Sequence, residues 1–110
     1  MTAVDMAARG DEKDSVTTNH GCTTTTKTKE CSENVFVGIG DQMAGVVRFG
    51  DKVKEHTFPP TDSCPSHQPT LAVASKTVII NEKGAGRRKD KYKGGEEIST
   101  GYPTVWIGGG

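Results

Sequence analysis

The stretch formed by residues 50–67, GDKVKEHTFPPTDSCPSH, constrains the fold more than any other part of the sequence. It contains almost no aliphatic residue, and two adjacent prolines in its middle exclude a helix or a central strand. The sequence therefore predicts a long loop, and a loop of this length needs something to hold it. His56, Cys64 and His67 lie within it, and imidazole and thiolate are donors that Zn²⁺ or Fe²⁺ would take.

The metal site predicted from this loop has four ligands, His20, His56, Cys64 and His67. His20 lies outside the loop and completes the set if the fold brings it near. Three imidazoles and one thiolate leave no open position on a tetrahedral ion, so we expect a structural ion rather than a catalytic one. Cys22 is an alternative to Cys64, although donors two residues apart on an extended chain point to opposite faces. Free thiols and exposed imidazoles are the alternative to any metal site.

The composition predicts one small domain of short strands over residues 1–110. Hydrophobic residues make up 32% of the chain and 14 residues are glycine, which indicates a thin core and many turns. A domain of this size is marginally stable on burial alone and usually needs a metal, disulfides or a partner chain. Three cysteines exclude a complete set of intramolecular disulfides, and both a single Cys22–Cys31 bridge and three reduced thiols remain open.

The charge and hydropathy patterns argue against nucleic-acid and membrane-spanning classes. The formal net charge is zero, whereas a general nucleic-acid-binding domain is usually basic. Residues 83–93 include six basic side chains, but nearby acidic residues dilute them, so we interpret the segment as a solvated turn. No apolar run approaches a membrane span and the N-terminus lacks the apolar stretch of a signal peptide. We therefore expect synthesis in the cytoplasm, which leaves export by a specialised machine open.

Two short patterns each occur three times along the chain. Strand-like runs that begin at a polar or turn residue and end at Gly or Asn occupy residues 32–38, 75–81 and 102–108. Turns of small residues that end in aspartate place Asp11, Asp51 and Asp90 at spacings of 40 and 39 residues. Fixed spacing indicates a repeated supersecondary unit, which rarely buries its apolar face alone. We predict three equivalent turns, one at each of these aspartates.

Two further expectations concern the C-terminal strand. Trp106 is the only tryptophan of a chain with few large side chains, so we expect it to fill the core, and an interface anchor is the alternative. The three glycines at 108–110 should end the strand and fray.

The repeats resemble those of the proline-alanine-alanine-arginine (PAAR) repeat proteins, which form the tips of contractile phage tails and of type VI secretion spikes. The strongest match is residues 77–90, TVIINEKGAGRRKD, which has the family's strand, turn, Pro-Ala-Ala-Arg and Gly-Asp in order. The segments MAARGD (6–11), NHGC (19–22), 56–78 and ISTGYPTVWIG (98–108) are similar to its other motifs. No repeat carries the full Pro-Ala-Ala-Arg sequence. Where the family often has Cys-Gly, this chain has Lys-Gly-Gly at 93–95, and a lysine ammonium cannot replace a thiolate ligand.

The resemblance implies a single PAAR-like domain over residues 1–110, an all-β cone built from three pseudo-repeats with a metal-stabilised apex. The implied ion is structural, Zn²⁺ or Fe²⁺, and is held by His20, His56, Cys64 and His67. The implied function is non-enzymatic: one tip caps a trimeric β-helical spike, binds no nucleic acid and meets a target membrane only during piercing. The implied location is a virion, or the bacterial cytoplasm before secretion. A free-standing zinc-binding adaptor or regulatory module is the alternative.

Overall fold

Short strands joined by turns form the described part of the chain. The computed structural model describes residues 4–18, 24–57 and 66–110. The strands are β1 Asp5–Ala7, β2 Ser15–Thr17, β3 Thr25–Lys27, β4 Phe36–Val37, β5 Ala44–Gly45, β6 His56–Thr57, β7 Ser66–His67, β8 Ile79–Ile80, β9 Lys83–Gly84, β10 Glu97–Ile98 and β11 Tyr102–Ile107. Among these residues the only helix is a single 3₁₀ turn, Gly40–Gln42. The predicted all-β fold is confirmed, and no described helix is long and apolar enough to cross a membrane.

Three two-stranded antiparallel sheets, which we call the ribbons, pair their strands in the same register. They are β4–β5, β8–β9 and β1–β11. The cross-strand pairs are Phe36 with Gly45, Ile79 with Gly84, and Trp106 with Met6. Residues 6, 45 and 84 are 39 positions apart, so one strand of each ribbon recurs at a fixed spacing along the chain.

Backbone hydrogen bonds join the three ribbons cyclically at their bases. Ala8 N donates to Gly86 O at 3.1 Å, Gly86 N to Val47 O at 2.6 Å, and Val47 N to Ala8 O at 3.0 Å. A second set runs from residues 10, 49 and 88 to the carbonyls of 45, 84 and 6, each at 2.8 Å. Each segment therefore satisfies its backbone polar groups on the other two, so that the three segments depend on one another for burial.

An arginine–aspartate pair closes the turn that follows each ribbon. Arg48 donates from its backbone N and Nε to Asp51 Oδ2 and from Nη2 to Oδ1, at 2.8–3.0 Å. Arg87 makes the same three bonds to Asp90 at 2.9–3.1 Å. Such two-pronged, charge-assisted bonds fix both the side chains and the turn backbone.

The predicted equivalence of Asp11 with Asp51 and Asp90 is wrong. Arg9 makes the three bonds with Asp14, at 2.6–3.1 Å. Asp11 is exposed and has a φ of 51°, as Lys89 has a φ of 76° one residue before Asp90. Asp11 thus occupies the left-handed position of the turn, and a longer turn brings the carboxylate of Asp14 to the arginine.

Outside the ribbons, paired segments of the chain close into a ring around the main core. The sheet β10–β2–β3 continues through the pairs Thr28–Val53, Lys52–Thr70, Leu71–Tyr92 and Lys91–Glu97, and the last returns to β10. Its buried side chains include Val16, Val53, Leu71, Tyr92 and Ile98. The ring holds the segments that lead to the predicted ligands in fixed positions.

The C-terminal strand ends at Ile107, just before the three glycines, as predicted, but two other expectations for it are wrong. Trp106 is 53% exposed and Ile107 is 6% exposed, because adjacent side chains of a strand point to opposite faces and Ile107 occupies the core side. The terminal glycines are held rather than frayed: Lys76 N donates to Gly109 O at 2.7 Å and Ser75 Oγ to Gly108 O at 2.5 Å. Cys31 is a free, half-buried thiol, and its burial raises the pKa of that thiol.

Candidate metal centre

Two of the four predicted ligands are brought together by a short antiparallel pair. β6 and β7 pair so that His56 lies directly opposite His67. Side chains of directly opposed residues project from the same face at short distance, so this register places the two imidazoles side by side. The ring centroids are 4.3 Å apart at an interplanar angle of 75°. His20 and Cys64, the other two predicted ligands, lie outside the described residues.

The third member of the cluster is Glu96, which sequence analysis did not select. A tight turn at Gly95, with a φ of 92° and a hydrogen bond from Gly95 N to Tyr92 O at 3.0 Å, reverses the chain just before Glu96. The His56 Nε2 to Glu96 Oε2 distance is 2.5 Å and the His67 Nε2 to Glu96 Oε2 distance is 2.7 Å. The two Nε2 atoms are 2.7 Å apart.

The hydrogen bond on the other side of His56 determines what its Nε2 can do. His56 Nδ1 lies 2.8 Å from the carbonyl oxygen of Lys54, which can only accept a hydrogen bond. Nδ1 therefore carries a proton, and Nε2 is the ring nitrogen that faces Glu96 and His67. A ring nitrogen held in this way by a carbonyl is the usual arrangement of a metal-ligating histidine.

The cluster fits a bound cation. Its Nε2 and carboxylate atoms are all electron-pair donors, and they lie within 4.8 Å of one another. The Glu96 residue is 0% exposed and His56 is 6% exposed, and a carboxylate removed from water in this way needs a positive charge beside it. A divalent ion would supply that charge; a protonated imidazole is the other way to supply it. Imidazole and carboxylate are ligands for Zn²⁺ and Fe²⁺.

The sequence has no cysteine at 93–95, and this part of the chain contributes Glu96 to the cluster instead. Lys93 is exposed, as expected for a residue that cannot be a ligand, and the turn places the carboxylate of Glu96 in the cluster. The signal was the pair of glycines immediately before an acidic residue. A Cβ built on Gly94 would lie 2.5 Å from Glu96 Oε1 and 3.0 Å from His67 Cε1, so the turn passes too close for any side chain.

We expect the substitution Gly94→Ala to lower the metal affinity at least about tenfold, because the new methyl group must displace Glu96 or His67. The measurement is ion content per chain after dialysis against graded chelator. Lys93→Ala changes an exposed neighbour and is the matched control, expected to behave as the original protein. An ion content in Gly94→Ala equal to that of the control would contradict the assignment of Glu96 to the site.

The chain matches no protein-family model, and no curated protein matches it. A function for the chain therefore has to be inferred from its fold and from the geometry of the site.

Proposed function

We propose that this protein is a structural tip that caps a trimeric β-helical spike of a contractile injection machine, either a phage tail or a type VI secretion system. The single observation that carries the proposal is the cyclic repetition of the three ribbons. A monomer whose edges recur three times can present similar surfaces to three identical chains. The PAAR resemblance of the sequence supports the same function.

The ribbons carry exposed apolar side chains at equivalent positions. Each ribbon has a set of two such positions. The first position of each set is a valine, and Val35, Val78 and Val105 are 37%, 36% and 37% exposed. The second position is half exposed, at 52%, 56% and 53% for Phe36, Ile79 and Trp106. A group of exposed apolar residues of this kind is typical of an interaction surface, and the three sets supply one contact for each chain of a trimer.

The candidate metal cluster is separated from the ribbon β4–β5 by a turn and by the core ring. From the ribbon β4–β5 the chain passes the Arg48–Asp51 turn and the core ring before it reaches His56. A structural ion there would join the β6–β7 pair to the Glu96 segment, which are distant in sequence. Such a cross-link opposes local unfolding of the β6–β7 pair, whose strands are only two residues long. The proposed role is mechanical, with the ion holding the point that meets the target envelope.

The experiment is to mix the purified protein with the trimeric spike protein encoded beside it and to determine the mass of the complex by light scattering or native mass spectrometry. We expect one tip per trimer. Three tips per trimer, or no binding to a β-helical spike, would contradict the proposal and leave the zinc-binding adaptor module as the better interpretation.

A further inference from the structure

We infer that the spike surface contacted by the ribbons is apolar and uncharged, so that docking does not depend on ionic strength; the inference rests on the proposed function. At equivalent positions the three ribbons share apolar character but not charge. Apolar character is shared at both exposed positions described above.

Charge is not shared among the ribbons. The residues paired with Ile107, Val37 and Ile80 are Asp5, Ala44 and Lys83, which are acidic, neutral and basic. The residues that precede them are Val4, Met43 and Glu82, of which only the last is charged. The same position therefore carries a different charge on each ribbon.

A trimer of identical chains presents the same residue to all three ribbons. A cation on the partner would be attracted by Asp5 and repelled by Lys83, and the third ribbon has the buried, neutral Ala44 at this position. An anion would be repelled by Asp5 and attracted by Lys83. The three contributions oppose one another, so a charged partner residue at this position gains little net attraction. Asp5 is also neutralised within the protein, because Arg88 Nε donates to its Oδ1 at 2.7 Å.

Apolar contact is favourable at all three ribbons at once. Phe36, Ile79 and Trp106 differ in shape, so three identical recesses on the partner must accept an aromatic or an aliphatic side chain. Burial of apolar area is non-directional and tolerates such differences better than hydrogen bonding does. The zero net charge of the chain also gives no long-range steering towards a charged partner.

The test measures the dissociation constant for the spike trimer that is encoded beside this protein, in 50 mM and in 500 mM NaCl. We expect less than about a twofold change, and the same small change for Lys83→Glu, whereas contacts between fixed charges weaken steeply over this range. Phe36→Ala should weaken binding at least about tenfold. Phe49→Ala is the matched control: Phe49 is 49% exposed but lies on the Arg48–Asp51 turn, so its loss should change binding less than about twofold.

The outcomes separate this inference from the proposed function. One tip per trimer with binding that weakens more than about tenfold at high salt, or with Lys83→Glu, would overturn the inference and leave the tip function standing. Equal effects of Phe36→Ala and Phe49→Ala would show that the ribbons are not the contact surface. No binding at either salt concentration would overturn both.

Discussion

Replacing Asp14 by Asn will lower the free energy of unfolding by about 3 kcal/mol, whereas Asp11→Asn will change it by less than about 0.5 kcal/mol. Asp14 is 0% exposed and makes three bonds to Arg9, a residue that is itself only 8% exposed. Without the carboxylate, the guanidinium remains buried without its charge partner, which costs more than the bonds themselves. Asp11 is exposed, and asparagine tolerates its left-handed backbone as well as aspartate does.

The measurement is urea denaturation of the two metal-loaded variants beside the original protein. The substitutions are chemically identical and three residues apart, so the comparison isolates the contacts of the Asp14 carboxylate, which are the bonds from Arg9 and one from Thr100 Oγ1 at 2.8 Å. An equal loss of stability for the two variants would show that Asp14 does not close the first turn. Asp51→Asn should resemble Asp14→Asn, because Asp51 makes the same three bonds with Arg48.

Removing the metal will have the second large effect. The purified protein should carry about one tightly held Zn²⁺ or Fe²⁺ per chain, and His67→Ala should lose that ion. The ion stabilises the folded state by about 4 kcal/mol when its free concentration is roughly a thousand times its dissociation constant. Thermal unfolding with and without chelator measures this loss, and His67→Ala should unfold at the same temperature in both conditions.

Cys31→Ala is the control for the metal experiment. Cys31 is a partly buried thiol that packs against the main core, so its truncation should cost about 1 kcal/mol and leave the ion content unchanged. A well-folded protein without metal would contradict the metal assignment. A protonated imidazole would then be the positive charge that accompanies Glu96.

The local sequence alone determined the fold class and two of the three residues of the described site. Proline and glycine limit the lengths of helices and strands whatever the tertiary context, which is why the strands are short. His56 and His67 could be selected because a long polar loop rich in metal-ligating side chains is informative by itself, before any contact is known.

The tertiary structure decided the details that depend on distance between remote segments. Glu96 is 40 residues from His56 in sequence, and only the turn at Gly95 and the closed core ring place its carboxylate against the two imidazoles. Trp106 faces outward because the register of β11 with β1 commits Ile107 to the core, and a shift of one residue would have reversed them. Asp14 replaces Asp11 for a similar reason. A periodic sequence predicts that an aspartate follows each arginine, but the path of the turn decides which carboxylate the guanidinium can reach.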